Sequence, residues 1–185
     1  GLDISDSLAM NEMSSDRQLL TKTLWMHRDN VRRFYRELTD YNSAFIPFEI
    51  CRNGFNLKLD NSQAAIIQGY GLDLIFEKWP DFAKYLSGGW FEEFVYLQCK
   101  PYEDAGVIQD LRINVKLNLN LEEAKGYSSF GVEYNELDIT FTDGYSLYIV
   151  ECKAGNVTQE QVMKLQNLVR FYGGIEGRGI VACCA

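Results

Sequence analysis

Three residues at the end of an apolar run carry the chemistry this sequence can offer: Leu147, Tyr148, Ile149 and Val150 lead into Glu151, Cys152 and Lys153. A central strand gains by burying its side chains, so an acid and a base two positions apart at its end call for a reason. Two positions apart is also one face of a strand. A carboxylate there can hold a cation, and an ammonium beside it can hold an anion or steady a developing negative charge.

A second strand, NELDITF, precedes it across Thr142, Asp143 and Gly144, a hairpin composition. If Asp143 and Gly144 form a two-residue turn, Thr142 faces Tyr145, Asp138 faces Ile149 and Glu136 faces Glu151. Glu136, Asp138, Glu151 and Lys153 then project from one side. Asp138 and Glu151 become diagonal neighbours at roughly 7 to 8 Å along the backbone, close enough for their carboxylates to bracket one divalent ion. A lone acid-x-Lys triplet is common at solvated strand ends; the convergence of further acids on the same face is what gives it weight.

The inventory narrows the metal. His27 is the single histidine, which excludes multi-histidine zinc chemistry, and oxygen ligands favour magnesium or manganese. Five cysteines, odd in number and without C-x-x-C spacing, suggest neither a disulfide framework nor a zinc site. The net charge of -8 argues against coating nucleic acid by bulk electrostatics. It is compatible with a nuclease, because carboxylates that hold a cation count as negative charge in the empty chain. With 46% hydrophobic residues in 185, the chain can bury a core. No apolar run approaches the roughly 20 residues that span a bilayer, and the acidic first residues lack a signal-peptide pattern, so a soluble, cytoplasmic protein is expected.

The elements that position these residues follow from periodicity. Leu19, Leu20, Thr23, Leu24, Val31, Phe34, Leu38 and Tyr41 recur at helical spacing, with Arg28, Arg32 and Arg36 on one stripe that reads as a solvated face. Asn53-Gly54 between alternating apolar positions predicts a hairpin, and Asn61 to Leu86 reads as mostly helical with an interruption at Trp79-Pro80. Gly88-Gly89 is expected to break the chain before a short helix over WFEEFVYLQCK, whose Trp90, Phe91, Phe94 and Tyr96 read as core packing. Leu111, Ile113, Val115, Leu117 and Leu119 alternate with polar residues as a half-buried strand. Strands are expected over about 134–141 and 146–152. Thr158 with Gln161 predicts a capping box that opens a helix to about Tyr172, ended by Gly173-Gly174, and GIVACCA closes as a short buried strand. The order is helix, three strands, helix, strand.

Asp138, a twelve-residue gap and then Glu151-Cys152-Lys153 resembles the PD-(D/E)xK nuclease signature, with Glu92 in GGWFEE similar to the acid often found on that superfamily's first helix. More narrowly, LSGGWFEEFVY, NELDITF and LYIVECKAGN resemble the nuclease domain of CRISPR ancillary nucleases that join a CARF sensor to a PD-(D/E)xK domain. The resemblance covers about residues 86–185. It implies an α/β, restriction-endonuclease-like core with a central mixed sheet flanked by helices, over 81–185. The helix and hairpin segment over 1–80 is read from its own residues, as either a linker subdomain or a winged-helix remnant, and the sequence does not choose between them. Nothing in residues 1–80 resembles the sensor's nucleotide-binding sheet, so cyclic oligoadenylate would act only through a domain outside this sequence. The resemblance also implies a homodimer and a nucleic-acid substrate, DNA or RNA.

Resemblance and geometry together imply metal-dependent phosphodiester hydrolysis. Asp138 and Glu151, with the Cys152 backbone carbonyl, would hold magnesium or manganese, and Lys153 would position or deprotonate the attacking water and stabilise the transition state. Glu92 would complete the metal shell, with Glu93 as its rival one helix position on and Glu136 as a weaker accessory. The Cys152 thiol, on the opposite face, reads as packing. Two other readings keep the fold: an inactive nucleic-acid-binding or assembly module, and a stand-alone restriction-type or junction-resolving enzyme.

Overall fold

The computed structural model describes residues 3–5, 13–31, 35, 47–52, 54–60, 64–118 and 136–184, with only the backbone of 3–5, 117 and 118. By its contacts the chain divides into two compact units, residues 1–12 with 95–185 and residues 13–94. It is a mixed α/β protein with one sheet in each unit.

The unit formed by residues 13–94 begins with helix α1, Ser15–Met26, whose N-terminus is capped by Ser14 accepting from the Arg17 N–H. Leu20, Thr23, Leu24 and, beyond the helix, Val31 are buried, as the periodicity predicts, and Thr21 is buried as well. Leu19 instead lies exposed. The rest of the expected helix, including Arg32, Phe34, Arg36, Leu38 and Tyr41, falls outside the described residues. Strands β2 (Phe48–Arg52) and β3 (Phe55–Leu59) form the expected hairpin, with Arg52 opposite Phe55 and Gly54 at φ 81°. Asn53 lies outside the described residues.

The helix expected over 61–86 is mostly wrong. Residues 65–76 form a second hairpin, β4 (Ala65–Gly69) and β5 (Leu72–Phe76), completing a four-stranded antiparallel sheet in the order β2-β3-β4-β5. Burial alternates in β4, with Ala65 and Ile67 inward, so the pattern has period two. The turn is Tyr70-Gly71, both with positive φ (52° and 81°), the geometry of a tight primed turn. Tyrosine is an uncommon occupant of that backbone region, which hides the turn from a composition reading. Its ring stacks on His27 at 4.2 Å and meets Phe55 edge-on. Gly69, at φ 133°, is required by close approach: a Cβ there would stand 2.1 Å from the Gly54 carbonyl oxygen.

Pro80 starts a helix rather than interrupting one. Helix α2, Trp79–Lys84, carries proline in its first turn, where no intrahelical N–H is needed. Gly88-Gly89 is not a break either: a π-helical turn over Tyr85–Gly89 joins α2 to α3, Trp90–Asp104. Glycine tolerates the wider turn, and the helix runs through to Asp104 despite Pro101. The division between the two units falls within α3, after Phe94. Trp90 and Phe91 are buried, and Phe94 stacks on Trp25 at 4.2 Å.

In the other unit, β1 (Asp3–Ser5), β6 (Gln109–Asn118), β7 (Glu136–Thr142), β8 (Leu147–Lys153) and β9 (Arg178–Cys183) form a sheet in that order. All neighbours are antiparallel except β8 and β9, so the sheet is mixed. A parallel pair requires a crossover, supplied by α4, Gln159–Gly173. Its capping box is formed as expected: the Thr158 hydroxyl accepts from the Gln161 N–H, and the Thr158 N–H donates to Gln161 Oε1. Leu165 and Leu168 of α4 pack with Val115, Leu137 and Ile149. The closing strand is present where GIVACCA predicts it, but it is the largely exposed edge of the sheet rather than buried. Leu119 and Asn135 lie outside the described residues.

Candidate active site

Strand β8 delivers Glu151 and Lys153 because its inner stretch is apolar: Ile149, Val150 and Cys152 are buried, and the strand is paired on both sides. Glu151 is itself buried, which its charge would oppose without a partner. Lys153 supplies one, with Nζ 2.5 Å from Glu151 Oε1. The two are next neighbours on one face of the strand, as the spacing predicts.

The loop before β8 corrects the expected register. Thr142 pairs with Leu147, not Tyr145, so four residues rather than two make the turn. The reason is Asp143, whose Oδ1 accepts the N–H groups of Tyr145 and Ser146 at 2.9 and 2.8 Å while Oδ2 accepts the Tyr148 hydroxyl. An aspartate that satisfies three donors favours the longer loop. These bonds hold its carboxyl below the usual range. Ile139 pairs with Val150, and one further count puts Asp138 across from Glu151 instead of diagonal to it. The shift is by two residues, so it keeps the parity of the expected faces.

Asp138 reaches the same strand end through its carboxylate: Oδ2 accepts the Cys152 N–H at 2.7 Å. Burial pushes the Asp138 carboxyl up to about 6. The Cys152 N–H opposes that rise, the charges of Glu151 and Glu136 reinforce it, and Lys153 opposes it. Asp138, Glu151, Lys153 and Glu136 therefore influence one another within one unit. The Cys152 thiol is buried packing, as expected.

The rival acids of α3 lie in the other unit and separate clearly. Glu93 is buried, and Arg17 grips it through Nε at 3.0 Å and Nη2 at 2.9 Å. Thr21 donates to Glu93 Oε2 at 3.0 Å and shares a hydrogen bond with the Tyr85 hydroxyl. The Arg17 guanidinium also lies over the rings of Tyr85, 3.5 Å from its centroid, and Phe76. Burial, then the Glu93 charge, pushes the Tyr85 phenol well above its usual range. Glu93 is thus committed to a structural ion pair. Glu92, about 100° away around the helix, is half-buried and not part of that pair. The Arg17 network joins residues 76 positions apart and leaves no local sequence signal.

Among the described residues no three acids, histidines or cysteines stand together as a ready-made metal cluster. Asp138 and Glu151 are two hard oxygen donors, a set that suits magnesium or manganese, which commonly take one or two carboxylates and fill the remaining positions with water and phosphate. It does not suit a closed zinc site.

A mixed α/β chain with an acid, a buried acid and a paired lysine at the ends of adjacent central strands has the makings of a hydrolytic site. The family model for the Card1-like endonuclease domain matches residues 81–184, more than half of the sequence, and the chain belongs to that family. No curated protein matches it. Among solved structures it is similar to Can2 from Sulfobacillus thermosulfidooxidans in complex with cyclic tetra-adenylate, with 23% identity and a TM-score of 0.43 over 55% of this chain and 28% of that one. It is also similar to protein VC1899 from Vibrio cholerae, with 20% identity and a TM-score of 0.47 over 91% of this chain and 40% of that one. The chain spans less than half the length of either structure. No described helix is long and apolar enough to cross a membrane.

Proposed function

We propose that this chain is a divalent-metal-dependent endonuclease of the PD-(D/E)xK type, with residues 81–185 as its catalytic domain and DNA or RNA as substrate. The observation that carries the reading is the approach of Asp138 to the Glu151-Cys152-Lys153 triplet through the Cys152 N–H. Asp138, Glu151 and the Cys152 carbonyl would hold magnesium or manganese, while Glu93 is occupied by Arg17. When bound, the cation supplies polarisation of the phosphate and a lowered pKa for water. Lys153 positions the attacking water and stabilises negative charge gathering on the phosphate, once its ammonium is released from Glu151.

Membership of the Card1-like endonuclease family, and the cyclic tetra-adenylate in the Can2 structure, support a wider reading. In it the chain is the effector part of a cytoplasmic, homodimeric CRISPR-associated nuclease of type III defence, switched by cyclic oligoadenylate bound to a separate sensor domain. Calorimetric titration with manganese tests the site: the parent chain binds, and Glu151→Gln does not. Equal binding by both would remove Glu151 from the site.

A further inference from the structure

Strand β6 carries two non-glycine residues in the left-handed backbone region, Asp110 at φ 53° and Asn114 at φ 54°. The first has a local explanation. The β6–β7 register slips between Gln109 and Arg112, and Asp110 sits in that bulge with its carboxylate 2.9 Å from Arg112 Nε. Asn114 has no bulge to serve. Arg112 pairs with Thr140, Ile113 with Ile139, Val115 with Leu137 and Lys116 with Glu136, all on one unbroken count, which puts Asn114 across from Asp138. Its neighbours Ile113 and Val115 are buried, whereas Asn114 is half-buried.

A left-handed residue inside a strand is strained, and glycine would adopt that backbone without strain. Strain of this kind persists where the surroundings hold it, and it gathers at binding and catalytic sites. The position is also specific: β7 presents Asp138 there, with the Glu151 and Lys153 strand end on its far side. Ionised carboxylates such as Asp138 and Glu151 only accept, and the ammonium of Lys153 is engaged with Glu151 until it is released. A carboxamide adds two N–H donors and no charge, so it can bind a phosphate oxygen without competing with a metal for the acids.

We propose that Asn114 is a further substrate-contacting residue of this site, its side-chain amide donating to a phosphate oxygen of the nucleic acid held against Asp138. This rests on the nuclease reading above, and it assigns a contact that reading does not contain.

The test separates backbone from side chain with Asn114→Gly, which keeps the left-handed conformation and deletes only the amide. Two quantities are measured on the full 185-residue chain: manganese affinity, and affinity for a short labelled oligonucleotide with calcium replacing manganese so that the strand stays intact. The expected result is a melting temperature equal to or above the parent's, unchanged manganese affinity and an oligonucleotide affinity lower by about tenfold, the size of a lost hydrogen bond to a charged group. Asp110→Gly, at the bulge, leaves both affinities unchanged. Oligonucleotide binding by Asn114→Gly within twofold of the parent's overturns the proposal, as does an equal loss in Asp110→Gly. A parent chain that binds no manganese overturns the nuclease reading itself, a result distinct from either.

Discussion

The Asp138 carboxylate accepts the backbone N–H of Cys152 at 2.7 Å, so an acid of one strand is fastened between the acid and the lysine of the next. The bond fixes where one carboxylate oxygen sits without consuming Glu151 or Lys153. It also accounts for a carboxyl that burial has pushed up to about 6 yet that keeps one good partner in its charged form.

Asp138→Asn follows from that balance. The folded pKa lies above the unfolded value of 3.8, so the protonated form favours folding; the contribution is full below pH 3.8 and is lost as pH rises through about 6. At pH 7.5 the native chain carries the cost of a buried charge, and asparagine removes it while its amide oxygen still accepts from Cys152. Thermal unfolding should show Asp138→Asn more stable than the parent at pH 7.5, by on the order of 2 kcal/mol, with the gain shrinking towards pH 4. A variant less stable than the parent at pH 7.5 would contradict this.

Metal affinity should carry the same titration. Protons and cations compete for Asp138, so manganese binding strengthens as pH rises from about 5 to 7 and levels off above. Calorimetry across that range checks it; an affinity flat with pH would remove Asp138 from the ligand set.

The Arg17–Glu93 pair makes a prediction about stability. Glu93→Gln leaves a half-buried guanidinium without its bidentate partner, and Arg17→Met leaves a buried carboxylate uncompensated; each should cost about 3 kcal/mol. The double change Arg17→Met with Glu93→Met restores an apolar contact against Phe76 and Tyr85 and should recover most of the loss. Urea unfolding of the three variants measures it, and additive losses in the double variant would show that the pair is not one unit.

Gly69→Ala tests the hairpin that periodicity missed. A methyl group 2.1 Å from the Gly54 carbonyl oxygen forces the two turns of the β2–β5 sheet apart, at a cost above about 2 kcal/mol. The same change at Gly71, where a Cβ meets nothing within 4 Å, adds only backbone strain and should cost less. Denaturation midpoints for the two variants give the ranking.

These cases show what was legible in the sequence. The strands carrying Asp138, Glu151 and Lys153, the crossover helix with its Thr158–Gln161 capping box, and the Asn53-Gly54 hairpin announce themselves through period-two alternation and local capping chemistry. The Tyr70-Gly71 turn does not, because a tyrosine held by His27 and Phe55 takes the place of the usual turn residue. The four-residue loop after β7 depends on Asp143 gathering three donors, which composition alone reads as a tighter turn. Gly88-Gly89 looks like a break because glycine usually is one, and here tertiary packing carries the helix through it. The engagement of Glu93 depends on Arg17, a partner 76 residues away that no local pattern reveals.

Strand cleavage tests the central claim most directly. The chain and its Glu151→Gln variant are incubated with labelled single-stranded RNA, single-stranded DNA and supercoiled plasmid, each with manganese, magnesium or chelator, and with cyclic tetra-adenylate added in a parallel series. The account predicts that the parent cuts at least one substrate with manganese or magnesium, and that both chelator and Glu151→Gln abolish it. Cleavage that survives either the chelator or Glu151→Gln would contradict it, as would a parent that stays inert in every series.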